Sequence, residues 1–447
     1  MKTGILTDLY QLTMTAGYLQ AGKDRDIATF ELFVRRLPQN RNYLVAAGLA
    51  QAVEYLEHFG FDEEDIEYLR SLRQFARCPD AFFERLRRLR FTGDVDGVAE
   101  GTIVFASEPL LRVRAPLMEG QVVETYLLST IGFQTLIATK ASRLVEAAGG
   151  RAVVEFGTRR AHSPEAGVLA GRAAYIGGCI GTSNTLTGLR YGVPVFGTAA
   201  HSWVQSFESE LEAFRQLQKL LGEATVYLVD TYDTLEGVRK AASLGRPIWG
   251  IRLDSGNLVE LSRAARRILD EAGFPDAKIM VTGDLNEYRI LELMKEKLPV
   301  DAFGVGTELA TSGDAPSLGA VYKLVELERG GERRFTVKLS EKKQTLPGAK
   351  QVFRYRDHDL IACASEEPLP GGERPEPLLV PVMRAGKRLA ALPDVHEARE
   401  RAAAGLRKLP TAYRSLFTID PPYRVEISGR LAALYDEIRR KVEGKLG

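Results

Sequence analysis

The sequence predicts an α/β protein built on a barrel of the (β/α)8 type, and two observations carry that reading. Apolar runs of strand length recur from about residue 150 to 325, most of them separated by a helical stretch. Strands alternating with helices make a parallel sheet covered by helices, and about eight such units close a barrel. The second observation concerns the residue types at the ends of these runs. "VVEF" leads to "GTRRAHS", "VPVF" to "GTAAHS", "VYLV" to "DTYDT", "WGIRL" to "DSGN", "IMVT" to "GDLN" and "AFGV" to "GTEL". Polar residues therefore sit at successive strand ends, where barrel active sites lie.

From the amino terminus, "TDLYQLTMTAGYLQAG" reads as an early helix, "IATFELFVRRLP" as an extended segment, and residues 50–90 as charged helices. "GVAEGTIVFASEPLLRVRAP" has β-type runs broken by Gly and Pro. The strand-like runs of the repetitive part are "AVVEF", "YIGGCI", "VPVF", "VYLV", "PIWGIRL", "AKIMVT", "VDAFGVG" and "AVYKLVE". Between them, "HSPEAGVLAGRAAY" offers Ser163 as N-cap and Pro164 at the first helical position. "SFESELEAFRQLQKLL" aligns Phe207, Leu211, Phe214, Leu217 and Leu221 on one helical face.

Composition excludes several classes. Sixty basic residues against 59 acidic ones leave no global field for nucleic acid or a membrane surface. Three cysteines at wide spacing form no zinc pattern or disulfide framework, which fits a reducing compartment. No apolar run of about 18 residues and no signal-peptide profile appear, so a cytoplasmic location is expected. The rim residues have plain readings too. Gly-Thr or Asp-Ser after a strand is an ordinary turn and cap, and His201 alone reads equally as a hydrogen-bonded core histidine. "YLVDTYDTLEGV" is superficially like the phosphoribosyl-diphosphate loop of Rossmann-like transferases, but Asp230 and Asp233 are not adjacent. A Schiff-base lyase needs a lysine at a strand end, and Lys323 lies inside "VYKLV"; a metal-dependent hydrolase needs clustered histidines, and only His162 and His201 lie near the rim.

"TDLYQLTM", "FELFVRRLP", "EFGTRRAHSPEAG", "GTAAHSWVQSF", "DTYDT", "IRLDSGNL", "FGVGTEL" and "KLSEKKQTLPGAKQVFR" together resemble nicotinate phosphoribosyltransferases, in order from Thr7 to about Arg354. The resemblance implies transfer of phosphoribose from phosphoribosyl diphosphate to nicotinate in the salvage route to NAD. ATP hydrolysis would be coupled through a phosphohistidine at His201. It implies the type II phosphoribosyltransferase fold, an irregular barrel packed on an α/β sandwich. Residues 1–115 and 331–390 are then assigned to the sandwich, 116–330 to the barrel, and 391–447 to a carboxy-terminal helical segment.

The same resemblance distributes roles. Mg²⁺ travels with the diphosphate, and Asp230, Asp254 and Asp284 can hold it directly or through water. Asp254 is also placed to stabilise the cationic sugar. The backbone at Gly283, Gly304, Gly306 and Thr307 can receive the 5′-phosphate. Phe156 would stack on one face of nicotinate and Tyr10 of a second subunit on the other, which implies a homodimer with shared sites. Arg252 is expected to grip the carboxylate in a bidentate contact, with Arg159 a further anion ligand. Ser183 separates two pyridines: the nicotinamide-using sister family has an aspartate at this place, which would repel a carboxylate. Ser183 also reads as a simple helix cap. The nicotinamide-using family is the closest alternative, ahead of quinolinate phosphoribosyltransferase, whose shorter chain and basic pocket fit less well.

Overall fold

The computed structural model describes residues 3–367 and 374–444. The chain divides into two compact units, one of Met1–Thr135, Ser317–Asp394 and Leu409–Gly447, the other of Leu136–Pro316 with Val395–Lys408. The first is an α/β sandwich-type unit. Its seven-stranded sheet runs in the order Glu332–Phe335, Ala320–Arg329, Ile27–Val34, Pro109–Pro116, Asp94–Val98, Leu379–Arg384, Lys387–Arg388. The strand "IATFELFV" is buried along nearly its whole length because it is paired antiparallel on both sides. Helices Leu49–His58, Glu63–Ser71 and Asp80–Arg88 fill the expected charged helical stretch. Their apolar faces join the same core as Phe30, which stacks on Tyr322 at 4.8 Å between ring centres. A second sheet of four strands contains Lys350–Arg354 and Asp359–Cys363.

The other unit is the barrel-type domain. Its sheet has six parallel strands in the order Gly181–Thr182, Ala152–Glu155, Ala302–Val305, Lys278–Val281, Gly250–Leu253, Val226–Leu228. Three of the eight expected strands differ. "YIGGCI" belongs to the end of the helix Pro164–Ile176 and the turn after it, and the strand is the following Gly181–Thr182. An apolar run ending in Gly-Gly fits a helix terminus as well as a strand, and here the helix wins. "VPVF" contributes one parallel bridge, Thr182 to Val195, and leaves Val195 and Phe196 exposed. "AVYKLVE" begins the strand Ala320–Arg329, which pairs antiparallel with Ile27–Val34 in the sandwich unit. The unit divisions consequently fall at Thr135 and Ser317, and Val395–Lys408 groups with the barrel strands. Tyr175 and Cys179 hold that helix through His396 and Arg399.

The cap expected for the helix Pro164–Ile176 is present. Ser163 accepts a hydrogen bond from the Ala166 N–H with Pro164 at the first position. Of the apolar face expected in "SFESELEAFRQLQKLL", Phe214 and Leu217 are buried on the helix Glu210–Leu221 and Leu211 is half-buried, while Leu221 is exposed and Phe207 precedes the helix, which Ser209 caps. No helix among the described residues is long and apolar enough to cross a membrane.

Candidate active site

The carboxyl ends of three neighbouring strands bring Asp230, Asp254 and Thr282 together. Val226–Leu228, Gly250–Leu253 and Lys278–Val281 are paired in parallel, so residues just past each strand lie side by side. Asp230 Oδ2 accepts from the Asp254 N–H at 3.0 Å and from Ser255 Oγ at 2.7 Å. Asp230 Oδ1 is buried with no hydrogen-bond partner among the described residues. Asp254 Oδ1 accepts from Arg252 Nη2 at 2.6 Å and from the Thr282 hydroxyl. Asp254 Oδ2 faces His201 Nε2 at 3.8 Å. The other imidazole nitrogen, Nδ1, lies 3.1 Å from Thr231 Oγ1. Burial pushes the Asp254 carboxyl upward. Hydrogen bonds from Thr282 and Arg252, and the Arg252 charge, outweigh that effect and hold it below the usual carboxylate range.

Arg252 is held by three protein acceptors. Its Nε donates to Thr282 Oγ1 at 2.8 Å, and its Nη1 to Thr198 Oγ1 at 2.8 Å. With Nη2 on Asp254, all three guanidinium nitrogens already serve protein acceptors. These bonds use one N–H on each nitrogen and brace Asp254, while Nη1 and Nη2 each carry a second N–H.

The opposite side of the site is built around Glu155, which the sequence reading passed over. Glu155 ends its strand fully buried. It accepts from the Gly157 N–H with one oxygen and from Thr182 Oγ1, at 2.5 Å, with the other. Burial pushes its carboxyl up against these donors. One residue thereby fixes the loop carrying Phe156 and the strand end carrying Ser183, whose N–H donates to the Glu155 carbonyl at 2.9 Å. An acid inside the apolar run "AVVEF" was the available signal. The cap of the helix Thr185–Tyr191 is Asn184, whose side chain accepts from the Thr187 N–H, so Ser183 is not its cap.

Phe156 is half-buried and lies against Gly304, where a Cβ would come within 2.5 Å of its ring. At Gly283, with φ +90°, a Cβ would stand 2.0 Å from the Asp254 carbonyl oxygen, so only glycine fits. Gly306 is the N-cap of the short helix Thr307–Thr311 and makes no side-chain cap bond. Asp284 is exposed with φ +44°, and Arg159 is exposed in the turn Thr158–Arg160. Tyr10 is about half exposed on the helix Leu9–Gln20 of the sandwich unit. Asp230, Asp254 and Asp284 do not gather into one group: among the described residues no three acids, histidines or cysteines converge on a common point for a metal ion.

The chain is similar to known proteins along most of its length. Residues 5–132 match the model for the nicotinate phosphoribosyltransferase N-terminal domain, and 372–435 that for the corresponding C-terminal domain. Residues 137–314 match the quinolinate phosphoribosyl transferase C-terminal domain. A nicotinate phosphoribosyltransferase of Mycobacterium tuberculosis is 43% identical over 97% of this chain and 94% of its own length. The Bacillus subtilis nicotinate phosphoribosyltransferase is 46% identical over 81% of this chain and 76% of its own. The crystal structure of human nicotinic acid phosphoribosyltransferase superposes with a TM-score of 0.81 at 31% identity, covering 97% of this chain and 99% of that one. A nicotinate-nucleotide pyrophosphorylase structure from Pyrococcus furiosus gives 0.75 at 27% identity, over 91% and 95%.

Proposed function

The chain belongs to the nicotinate phosphoribosyltransferase family, and from that premise we propose that it joins nicotinate to the phosphoribosyl group of phosphoribosyl diphosphate, releasing pyrophosphate, as a step of cytoplasmic NAD salvage. The observation that carries the reading is the bracing of Asp254. Leaving-group departure develops positive charge at the ribose carbon. A carboxylate kept ionised by Thr282 and Arg252, with its second oxygen unclaimed by either, is suited to meet that charge. The N–H groups at Gly304, Gly306 and Thr307 would take the 5′-phosphate, with Gly283 and Asp284 at the neighbouring turn. Phe156 would support the pyridine ring, and Ser183 would donate its hydroxyl to the nicotinate carboxylate. Nicotinamide suits this place less well, since it calls for an acceptor opposite its amide N–H.

The donor set fits Mg²⁺ as an ion shared with the diphosphate, which keeps waters and takes one or two carboxylates. Asp230, through its unpartnered Oδ1, and Asp254 would hold it, with exposed Asp284 reaching it through water. When bound, the ion supplies charge neutralisation for the departing pyrophosphate.

We assign ATP coupling to His201. In the tautomer that carries its proton on Nδ1, toward Thr231 Oγ1 at 3.1 Å, the Nε2 lone pair attacks the γ-phosphorus. The bond to the β–γ bridging oxygen breaks, ADP leaves, and a phosphoramidate remains beside Asp254. A homodimer completes the reading. The sandwich unit exposes Leu6, Leu9, Tyr10 and Met14, and the barrel unit exposes Leu186, Leu189, Val195 and Phe196. These are faces for a second copy, which would lay the partner's Tyr10 over nicotinate.

The test uses purified protein with phosphoribosyl diphosphate, Mg²⁺ and either nicotinate or nicotinamide, with and without labelled ATP. Nicotinate is expected to be preferred by at least about 100-fold in kcat/KM, about 2.7 kcal/mol. His201→Ala is expected to abolish acid-labile phosphoenzyme while slow ATP-independent transfer survives. Wild-type labelling of that variant would remove the phosphohistidine assignment, and a preference for nicotinamide would overturn the function.

A further inference from the structure

A buried cation lies behind the loop assigned to the 5′-phosphate. Lys140 is on the helix Glu124–Ala147, and its side chain is wholly inaccessible to solvent. Its Nζ is 2.6 Å from Glu287 Oε2, 2.7 Å from Asp314 Oδ1 and 3.4 Å from Glu308 Oε2. Arg143, one turn along and equally buried, pairs with the other oxygen of Glu287 at 2.9 Å. Two of the three acids come from the segment that begins with the loop. Glu308 is the second residue of the helix Thr307–Thr311, and Asp314 comes after the turn that ends it. That turn is tightly made. Ser312 is buried in the left-handed region at φ +47°, and the Gly313 N–H returns to the Glu308 carbonyl at 3.1 Å. A Cβ on Gly313 would meet the Glu308 carboxylate at 2.6 Å.

The position of Glu308 creates an electrostatic problem. A carboxylate one residue after the N–H groups that are to bind a phosphate dianion opposes that binding unless a cation offsets it. Lys140 is that cation, and its simultaneous hold on Asp314 fixes the far end of the same turn. A lysine with no solvent contact and three acids around it has no role in the transfer chemistry at Asp254 or His201. Its buried position is sustained only because all three partners converge on it.

We infer that Lys140 is a positioning residue for phosphoribosyl diphosphate: it offsets part of the charge of Glu308 and ties the Thr307–Asp314 segment to the long helix, so that the loop before it presents N–H groups against a reduced opposing charge. This rests on the proposed assignment of the 5′-phosphate to Gly304–Thr307.

The experiment measures both Michaelis constants in the full-length protein. Lys140→Met is expected to raise KM for phosphoribosyl diphosphate about tenfold, the effect of one uncompensated charge acting over roughly 12 Å at an effective dielectric near 20. KM for nicotinate should stay within about twofold. Adding Glu308→Gln to Lys140→Met restores the net charge of the cluster and is expected to recover most of the lost affinity. Equal change in both constants, or no recovery in the double variant, overturns the proposal. If Lys140→Met does not accumulate as folded protein, Lys140→Arg replaces it. Arginine keeps the charge but not the three-way geometry, and a rise of about threefold confined to phosphoribosyl diphosphate is expected; a change shared by both substrates overturns the proposal. Thr307→Pro, which deletes the Thr307 N–H at the first helical position where proline is tolerated, separates the two readings. If it leaves KM for phosphoribosyl diphosphate unchanged, the phosphate assignment fails and this inference with it. If it raises that constant and Lys140→Met does not, only the inference fails.

Discussion

Asp254 at the barrel strand ends and Glu108 in the sandwich unit are both carboxyl groups drawn out of water, and they are pushed in opposite directions. Asp254 is partly buried but receives the Thr282 hydroxyl and the Arg252 guanidinium, and it is held below the ordinary range. Glu108 is almost completely buried and receives the Phe105 N–H at 2.8 Å. Its charged neighbour is Asp359, whose oxygens are already held by Arg354. Burial first, and then the Asp359 charge, push Glu108 well above its ordinary value. The difference lies in where the cation is spent. Arg252 serves the carboxylate that faces the open strand ends. Arg354 serves Asp359 and leaves Glu108 with a proton. Depth of burial alone does not set the charge; the donors that reach the oxygens do.

The largest expected effect comes from overloading the barrel side with an anion it lacks donors for. Ser183 stands next to Glu155, whose two oxygens are already satisfied by Gly157 and Thr182. Ser183→Asp adds a carboxylate where nicotinate is to place its own. At about 4 Å and an effective dielectric near 20 the repulsion is roughly 4 kcal/mol, on the order of a thousandfold. Steady-state assays should show kcat/KM for nicotinate falling by that order while nicotinamide use is spared or rises. Equal loss of both substrates would return Ser183 to a structural role.

The next effect removes the braced anion. Asp254→Asn keeps the shape and one acceptor oxygen but discards the charge that Arg252 and Thr282 hold in place. A fall in kcat on the order of 100-fold is expected, with cooperative thermal unfolding retained. The wild-type pH dependence carries the sign. A carboxyl held low stays ionised as pH falls past the ordinary carboxylate value, so its contribution to stability and rate is lost only below that value. Near-normal turnover in the variant would move the catalytic role to Asp230 or Asp284.

The rim was legible in the sequence because a strand and the residue after it are one local pattern. His201, Asp230 and Asp254 each come after an apolar run, and parallel pairing does the rest. The bonds that link them were not legible. Thr198, Thr282 and Arg252 are joined by hydrogen bonds across segments 30 to 54 residues apart, and no local rule says which side chains meet across neighbouring strands. The Ser183-Asn184 pair illustrates a narrower ambiguity. Both residue types are good helix caps, and only the backbone geometry selects Asn184. The sandwich was harder still. Ala320–Arg329 has the texture of another barrel strand, yet its partner is Ile27–Val34, almost 300 residues earlier. The Glu108–Asp359 contact spans similarly distant segments. Lys140 sits in a long apolar helix, where a lone lysine reads as a solvated residue until its three acids are placed around it.

The smallest effect tests the sandwich half of the comparison, and it is an effect on stability alone. Glu108 holds in the folded state a proton that the unfolded chain gives up near the ordinary glutamate value. Its favourable contribution is therefore complete below that value and declines as pH rises, until the folded carboxyl itself ionises. The slope is up to about 1.4 kcal/mol per pH unit for one proton. Glu108→Gln keeps the oxygen that accepts from Phe105 and an N–H that can face Asp359, but it has no proton to lose. Near pH 4 the variant and the wild type should unfold at similar denaturant concentrations. Toward about pH 7 the variant should become the more stable by on the order of 1–2 kcal/mol, read from urea unfolding at matched ionic strength. The corresponding change at the barrel end, Asp254→Asn, should show the opposite trend, losing ground to the wild type as pH rises from acid toward the ordinary aspartate value, because there the folded carboxyl is the one that gives up its proton first. Parallel pH profiles for the two variants would mean that burial, not the placement of the arginines, decides the charge in both units.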